Sequence, residues 1–297
     1  MSSTDTTTAT AGARLSGATR LGPTHLTVTD LDRSVDFYER SIGLRRHRRD
    51  AGVAALGAGG EDLLVLHEAP DARPAGRHAG LYHVALLHPS RLELARAAQR
   101  LAATRTAIQG ASDHGISEAI YLADPDGNGL ELAADRPRVE WPEHGGAAAM
   151  PPPQPLDVLG LMALVDGDEP TAAVDPATIV GHVHLHVAGV EEALRVYRDV
   201  LGFDVMNRFS NVAFVSAAGY HHHVGLNTWR GEGVPPVPAD AVGMRHWTLV
   251  VDAADALAIA GRAAALGVAT REAEGGSLLQ DPSGNAVLVL AERAEAR

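Results

Sequence analysis

The residues in this sequence that could perform chemistry are its fifteen histidines and a few carboxylates placed in apolar strands. Glu131 stands between Leu130 and Leu132 in a segment that alternates like a β-strand. Such a side chain either faces solvent or turns inwards, where a buried carboxylate needs a partner such as a metal ion. Because the chain contains no cysteine and no lysine, histidine is its only plentiful nitrogen ligand. The positions of the histidines therefore decide between these two alternatives.

Four histidines recur at what the sequence indicates is one position of a repeated unit. The first strand of each copy contains one of them: His25, His83, His184 and His246. A single histidine is more often a core or surface side chain than a ligand. Four in one register are poorly explained by chance, and internal repetition is a strong structural signal.

The elements that must position these histidines repeat in the order strand, helix and three further strands. In the first copy, a strand at 24–29 precedes a helix that begins near Asp30 and ends at Gly43. The third copy is predicted to close with a strand at His221–Asn227. The first strands of the second, third and fourth copies are expected at Leu81–Leu87, Gly181–Val187 and Met244–Leu249.

Two of the copies contain a D-P-x-G-N turn, and only one of them retains groups capable of chemistry. In the second copy, the turn at Asp124–Gly129 joins a strand containing Tyr121 to the strand of Glu131. In the fourth copy, the equivalent positions hold Leu278 and Leu288. Since leucine cannot bind a metal, copies three and four cannot form a complete metal site by themselves.

The length of 297 residues allows two domains of ordinary size. Residues 1–20 are rich in Ser, Thr, Ala and Gly and are expected to form a disordered tail, with no apolar segment typical of a signal peptide. Residues 136–178 are expected to be a linker with one short helix within Pro155–Val165. The predicted domains are then 21–135, with modules one and two, and 179–292, with modules three and four.

Composition excludes several classes of function. The net charge of −12 argues against a nucleic-acid partner or an anionic membrane. The absence of cysteine excludes disulfides, iron–sulfur clusters and cysteine nucleophiles, and the absence of lysine excludes Schiff-base chemistry. No apolar run is long enough to span a membrane, so the expected location is cytoplasmic. A homo-oligomer is compatible with these observations.

The motifs around Glu131 resemble those of the vicinal oxygen chelate superfamily, most closely its extradiol dioxygenases of the catechol 2,3-dioxygenase type. Those proteins contain Y-x-x-D-P-x-G-N-x-x-E, and the segment from Tyr121 to Glu131 reproduces it. Their H-G-[LI]-[TS] segment resembles His114–Ser117. The resemblance covers about residues 20–135 and 178–292. It implies an α+β fold in which four βαβββ modules form two open, cup-shaped barrels.

The resemblance also implies a metal site of two histidines and one carboxylate, with Fe²⁺ as the ion, Mn²⁺ as an ion that also suits these ligands, and O₂ as co-substrate. Two pairings of modules could complete it. If module two pairs with module one, the ligands are His25, His83 and Glu131. If it pairs with module three, they are His83, Glu131 and His184. We favour the second pairing, because only it brings the histidines at 221–223 to the same cup.

Further roles follow from the same resemblance. A histidine on the closing strand of module three, His222 or His223, would act as a base and then as an acid. Successive strand residues face opposite sides, so only one of the two can point into the cup, and the resemblance favours His222. Tyr121 and His114 would donate hydrogen bonds to a substrate oxygen. No residue is predicted to bind an organic cofactor.

The sequence thus predicts an enzyme of aromatic hydrocarbon catabolism that inserts O₂ into a catechol-type or hydroquinone-type diol. A glyoxalase-like metal-dependent isomerase or lyase is one alternative, but such sites use an extra Glu, which the closing strand of module three lacks. A non-catalytic, drug-sequestering protein is another. Those proteins lack metal ligands and bind in aromatic grooves, whereas this chain has only 3 Trp, 5 Tyr and 4 Phe.

Overall fold

A computed structural model describes residues 14–141 and 152–292 of the chain. The predicted α+β class is confirmed, because the described residues form two mixed sheets with few helices. Most of the predicted tail lies outside the described residues, but its last part is packed. Leu15 is buried, and its backbone N–H donates to the carbonyl of Gly202 at 3.1 Å. Met150 and Pro151 of the predicted linker also lie outside the described residues.

Each of the four modules consists of a strand, a helix and three further strands. The first contains β1 Arg20–Val28, α1 Leu31–Phe37, β2 Arg45–Asp50, β3 Val53–Gly57 and β4 Asp62–Glu68. The second contains β5 Gly80–His88, α2 Arg91–Ala103, β6 Gly110–Asp113, β7 Ser117–Ala123 and β8 Gly129–Asp135. After a connecting segment, the third contains β10 Ile179–His186, α4 Val190–Leu194, β11 Asp204–Arg208, β12 Val212–Ser216 and β13 Val224–Asn227. The fourth contains β14 Gly243–Val251, α5 Ala253–Ala265, β15 Thr270–Ala273, β16 Gly276–Gln280 and β17 Ala286–Ala291.

The connecting segment contains the short helix that the sequence predicts. It comprises β9 Gln154–Pro155 and α3 Val158–Met162. The side chain of Asp157 accepts a hydrogen bond from the Gly160 N–H at 2.9 Å, which caps the start of this helix. Leu161 is buried in the main core, so the segment packs against the domain instead of acting as a free linker. Every helix in the described ranges is too short or too polar to cross a membrane.

The favoured pairing of module two with module three is confirmed. β5 runs antiparallel to β10, with His83 opposite His184. Modules one and four pair in the same way, since β1 runs antiparallel to β14 with His25 opposite His246. The two sheets have the strand orders β11-β12-β13-β10-β5-β8-β7-β6-β9 and β15-β16-β17-β14-β1-β4-β3-β2. We call their concave faces the two–three cup and the one–four cup.

Each sheet therefore combines one module from each half of the sequence. The alternative ligand set of His25, His83 and Glu131 does not fit this structure, because His25 lies in the other sheet from Glu131. The domain boundaries at 21–135 and 179–292 stay a prediction.

Hydrogen bonds between buried side chains connect the modules that follow one another in the sequence. Asp124, in the turn of module two, accepts a hydrogen bond from the Tyr38 hydroxyl of module one at 3.1 Å. Asp281 accepts one from Tyr197 at 3.2 Å in the second half of the chain. Each aspartate also accepts backbone hydrogen bonds within its own D-P-x-G-N turn. The turn motif thus stabilises the contact between neighbouring modules as well as the hairpin.

Arginine side chains strengthen the same contacts at the ends of two helices. After α1 the chain continues as a wider π-helical turn that Gly43 ends with φ +86°. The buried guanidinium of Arg100 donates to the last carbonyl of that turn, on Ile42, at 2.6 and 3.1 Å. Arg262 donates in the same way to Val200 at 2.7 Å. These donors satisfy carbonyl groups that a helix end leaves without an intrahelical partner.

Removing the Tyr38 hydroxyl tests this contact between modules. We expect Tyr38→Phe to lower the free energy of unfolding by about 1–3 kcal/mol, because a buried carboxylate loses one hydrogen-bond donor. Urea denaturation measures the change. Tyr82→Phe is the control, since Tyr82 is 39% exposed, and its effect should stay within about 0.5 kcal/mol. Equal effects of the two substitutions would contradict the proposed role of Tyr38.

Candidate functional site

The two–three cup is built on its two central strands. The side chains of one alternating set point into the main hydrophobic core: Val84, Leu86, Val183 and Leu185. Because side chains alternate along a strand, the other set faces the inside of the cup. That set consists of His83, Ala85, His182 and His184. The sequence pattern therefore divides each strand between an apolar face and a histidine-bearing face.

Two nitrogen atoms and one oxygen atom converge at the bottom of this cup. The Nε2 atom of His83 lies 3.0 Å from Oε2 of Glu131. The Nε2 atom of His182 lies 3.2 Å from the same oxygen and 3.2 Å from Nε2 of His83. All three side chains are buried, so this is a compact and water-poor group of donors.

The distances among the three atoms fit the face of an octahedral metal complex. Bonds of about 2.1 Å in octahedral geometry place adjacent ligand atoms about 3 Å apart. Tetrahedral geometry with the same bond length would place them about 3.4 Å apart. Two imidazoles and one carboxylate are also the ligand types of non-haem iron sites with open positions. The side chains present therefore fit a six-coordinate divalent ion.

Ala85 explains how side chains from three strands can reach one another. Ala85 lies between His182 on one neighbouring strand and Glu131 on the other. Those two residues are two strand spacings apart, roughly 9–10 Å at the backbone. The small methyl group of Ala85 leaves room above the central strand for both longer side chains to meet.

The electrostatics of the cluster favour an ionised carboxylate. Burial by itself would raise the pKa of Glu131, but the charges and hydrogen bonds of His182 and His83 lower it well below its usual range. Burial lowers the pKa of His83, and the carboxylate offsets part of that shift. Metal binding requires an ionised carboxylate and imidazoles whose Nε2 atoms have given up their protons.

The predicted ligand His184 is not part of this group. Its ring lies on the same face of β10, with its centroid 5.1 Å from that of His83. Its Nε2 atom is buried and has no hydrogen-bond partner. The described donor group contains His182 in its place. The structure thus brings His182, two residues before the predicted ligand, together with His83 and Glu131.

The helix caps reveal why the sequence register was two residues out. His83 precedes the N-cap Ser90 by seven residues, and His182 precedes the N-cap Gly189 by the same number. His184 precedes Gly189 by only five residues, as His25 precedes Asp30. His246 precedes its N-cap Asp252 by six residues, so the four aligned histidines do not share one distance from the helix N-cap. Counting from the helix N-caps would have identified His182.

His184 instead forms part of the wall of the cup. A Cβ atom added to Gly225 would lie 2.8 Å from two atoms of the His184 ring, so this glycine makes room for the imidazole. The ring packs edge-on against Tyr82 and Phe214 and lies 5.2 Å from the Trp229 ring, measured between centroids. Burial and the neighbouring histidines lower the pKa of His184 well below its usual value.

Of the histidines at 221–223, His222 lines the same cavity as His83, His182 and Glu131. Its ring centroid lies 4.2 Å from that of His182. The predicted strand at His221–Asn227 begins only at Val224, so the alternation rule does not apply to these histidines. His222 is placed by its contacts in the preceding loop.

A chain of hydrogen bonds fixes the proton positions on His222. The Asp135 carboxylate lies 3.0 Å from Nε2 of His221, which must therefore donate. A neutral His221 then accepts at Nδ1, which lies 2.8 Å from Nδ1 of His222. His222 therefore donates from Nδ1 and leaves Nε2 as an acceptor. Burial and the neighbouring His182 and His221 lower its pKa well below its usual value, which keeps this imidazole neutral at pH 7.

His223 lies outside the cavity. Its Nδ1 atom is 2.8 Å from the Ser216 hydroxyl and 3.2 Å from the Ala217 backbone nitrogen, which donates to it. It lines a separate surface pocket on the other side of the loop. The structure therefore does not bring the candidate His223 together with the other site residues.

Tyr121 and His114 line the cavity together. Tyr121 lies directly opposite Glu131 across the β7–β8 hairpin, which explains the ten-residue spacing in the sequence motif. Its hydroxyl shares a hydrogen bond of 2.7 Å with Nε2 of His114. Burial and the charge of Glu131 raise the pKa of Tyr121, so its hydroxyl stays protonated. The pair can offer a hydrogen bond to a bound molecule.

These groups open into a cavity of about 660 Å³, within the usual size range of small-molecule sites. The donor cluster forms the polar floor of this cavity. Its walls are mainly aromatic and apolar, and they include Tyr82, Phe209, Phe214, Trp229 and Pro153. Trp229 is a candidate cup residue from the sequence, whereas Tyr82, Phe209, Phe214 and Pro153 have no sequence signal, because the wall residues lie on loops and strands far apart along the chain.

Comparison with known proteins points to one superfamily. Residues 20–132 and 179–289 match the family model described as the glyoxalase/bleomycin resistance protein/dioxygenase superfamily. A protein of Bacillus subtilis (strain 168) named catechol-2,3-dioxygenase is 40% identical over 276 residues, which are 91% of this chain and 96% of the relative.

Solved structures show the same fold at low sequence identity. A putative dioxygenase from Bacillus subtilis is similar with a TM-score of 0.63 and 15% identity, covering 92% of this chain and 86% of that one. Glyoxalase I from Zea mays is similar with a TM-score of 0.60 and 18% identity, covering 92% of each chain. At this identity, the likeness concerns the fold alone.

Substitution of His182 and His184 tests which of them is a ligand. After anaerobic loading with Fe²⁺, we expect His182→Ala to lose most of its metal, because a donor atom of the cluster is removed. His184→Ala should retain close to one equivalent at the same cluster. Elemental analysis after desalting measures both variants beside the wild type. The reverse pattern would show that His184 is the ligand and that the cluster rearranges on binding.

Proposed function

The chain belongs to the glyoxalase/bleomycin resistance protein/dioxygenase superfamily, and from this premise we propose that it is an extradiol dioxygenase. It inserts both atoms of O₂ into an aromatic diol of the catechol type and breaks the ring bond beside the diol. The observation that carries the proposal is the buried group of His83, His182 and Glu131 at the floor of an aromatic-walled cavity. The 40% identity to a relative named catechol-2,3-dioxygenase supports it.

The donor set supports Fe²⁺, with Mn²⁺ as the other ion that suits it. When bound, such an ion would hold the diol oxygens and O₂ side by side and lower the pKa of the diol. The protein contributes the facial arrangement of ligands and their burial. Ala85 and the strand register keep the three donor atoms within 3.2 Å of one another.

His222 is the proposed acid–base residue. Its neutral imidazole presents Nε2 as an acceptor, so it can take a proton from the diol and return it later in the reaction. Asp135 and His221 hold this tautomer through the hydrogen bonds at 3.0 and 2.8 Å. Asp135 and His221 are therefore positioning residues, because they act on the substrate only through His222.

Tyr121 and His114 are the proposed hydrogen-bond donors to an oxygen of the substrate. A donor fixed before the reaction stabilises developing negative charge without reorganisation. The bond of 2.7 Å between them holds the Tyr121 hydroxyl in place beside the cavity. The aromatic walls around Tyr82, Phe214 and Trp229 suit the flat ring of a diol.

An oxygen-uptake assay tests the function. Apoprotein is reconstituted anaerobically with Fe²⁺ or Mn²⁺ and then given catechol, substituted catechols or hydroquinones in air-saturated buffer. We expect one O₂ consumed for each ring-opened product, with a yellow colour from the conjugated chain. Glu131→Gln should lose the metal ion of the two–three cup and the activity together, because an amide replaces an anionic ligand. Turnover of a hemithioacetal without O₂ uptake would favour a glyoxalase-like isomerase. Tight diol binding without turnover would favour a binding protein.

Substitution of each of two neighbouring histidines distinguishes an acid–base role of His222 from general effects of mutation. We expect His222→Gln to retain its metal and to lower kcat by about 10²–10⁴-fold, the usual contribution of general acid–base catalysis. His223→Gln is the matched control. It removes an imidazole one position away that lines a different pocket, so kcat should stay close to that of the wild type. Equal losses in both variants would contradict the role of His222.

A further inference from the structure

The one–four cup contains a second group of potential metal ligands, at a place where the proposed dioxygenase chemistry has no role. His25 and His246 face each other on the central strands β1 and β14. Their rings stack with centroids 4.0 Å apart. Glu274, at the tip of the β15–β16 hairpin, brings one carboxylate oxygen to 3.9 Å from Nε2 of each ring.

Glu274 forms no hydrogen bond with either imidazole. A separation of 3.9 Å is too long for a hydrogen bond between nitrogen and oxygen. The Nε2 atom of His246 is buried and has no hydrogen-bond partner. The imidazole is only 9% exposed, so ordinary exposure to water does not account for this unpaired atom. A group that bonds to all three atoms at once would satisfy them.

His25 is held with its Nε2 atom towards Glu274. Its Nδ1 atom lies 3.0 Å from Nε2 of His67. If His25 donates this hydrogen bond, its Nε2 atom has a free lone pair, which is the usual arrangement of a metal-bound histidine. His67 then plays the part of the supporting acceptor, and the ring of His25 cannot turn without losing that bond.

The carboxylate of this second group comes from a different place in the module than the carboxylate of the two–three cup. In the two–three cup, Glu131 on the closing strand provides the carboxylate, whereas the one–four cup has Leu288 there, within a small apolar cluster. The carboxylate of Glu274 comes from a hairpin tip instead. Glu274 has φ +49° because it and Gly275, with φ +82°, form the two-residue turn of this hairpin.

We propose that His25, His246 and Glu274 bind a divalent transition-metal ion of the Zn²⁺ class. The three donor atoms lie within 4.8 Å of one another. Tetrahedral bonds of about 2.1 Å require ligand atoms about 3.4 Å apart, so the carboxylate oxygen must move inwards by roughly half an ångström from its 3.9 Å distances. The two stacked imidazoles must also tilt so that their in-plane lone pairs converge on the ion. Glu274 has the freedom to do so, because its side chain is 54% exposed at the tip of a hairpin.

The charges around the site determine which ions it suits. Burial, Arg245 and Arg271 lower the pKa of His246 to about 4. Nearby guanidinium groups repel a cation that is held by charge alone, such as Mg²⁺ or Ca²⁺. Zn²⁺ and Co²⁺ form strong bonds to imidazole nitrogen, and these bonds offset that repulsion. The site therefore selects for borderline-soft ions over hard ones.

Metal counting on defined variants tests the proposal. Apoprotein is titrated with Zn²⁺ in an isothermal calorimeter, and bound metal is measured after desalting. We expect two equivalents in the wild type, one in Glu274→Gln, one in Glu131→Gln and none in the double variant. Loss of the Glu274 carboxylate should weaken the second site by more than about 100-fold, since even supporting residues of metal sites contribute 10–100-fold.

The controls keep the result independent of the enzymatic proposal. Glu272→Gln removes the same charge from an exposed position on the same hairpin and should keep both equivalents. In the Glu131→Gln background, Zn²⁺ should raise Tm, and the further change Glu274→Gln should abolish that rise. Cobalt substitution should give the intense visible bands of tetrahedral Co²⁺ in the same background.

Two outcomes would overturn the proposal. One is a wild type that binds a single equivalent, which Glu131→Gln removes. The other is a second equivalent that persists with unchanged affinity in both Glu274→Gln and His246→Gln. Because Glu274 is on an exposed turn, its substitution leaves a folded protein even if His246→Gln does not fold. Neither outcome bears on whether the two–three cup catalyses ring cleavage.

Discussion

The structure of the candidate site depends on the antiparallel pairing of β5 with β10. This register places His184 opposite His83 and His182 opposite Ala85. Because side chains alternate along a strand, a slip of one residue would turn the histidines of one strand into the core and its valines and leucines into the cup. The apolar packing of Val84 and Val183 therefore fixes the chemistry on the opposite face. The pairing also joins two modules that a long connecting segment separates in the sequence.

Burial of Glu131 is the second constraint, and it follows from the first. A carboxylate in a water-poor cup is stable only with partners that offset its loss of hydration. The two imidazoles of His83 and His182 provide these partners in the described structure. The same geometry presents three donor atoms to a metal ion. The same three side chains that stabilise the buried carboxylate therefore provide the donor atoms for a metal ion.

The two cups show how one repeated scaffold can diverge. Where the two–three cup has Ala85 beside Glu131, the one–four cup has Thr248 beside Leu288. Both cups keep a pair of facing histidines on their central strands. The hydrogen bonds from tyrosine to aspartate between consecutive modules are also equivalent in both halves. The residues that hold consecutive modules together and the residues that could bind a metal ion are therefore different residues of the module.

The sequence by itself indicated the four modules, because strand alternation and turn residues are local properties, and its resemblance to a known superfamily implied the α+β class and the grouping of His83 with Glu131. It also favoured the correct pairing of modules, by chemical completeness. Only the tertiary structure brings His182, and not His184, into contact with His83 and Glu131. Both His182 and His184 lie on the same face of β10, and their contacts depend on their levels relative to β5, whose His83 lies 99 residues before His182. The roles of Asp135 and His221 also needed the fold, because hydrogen bonds between distant segments set the protonation of His222.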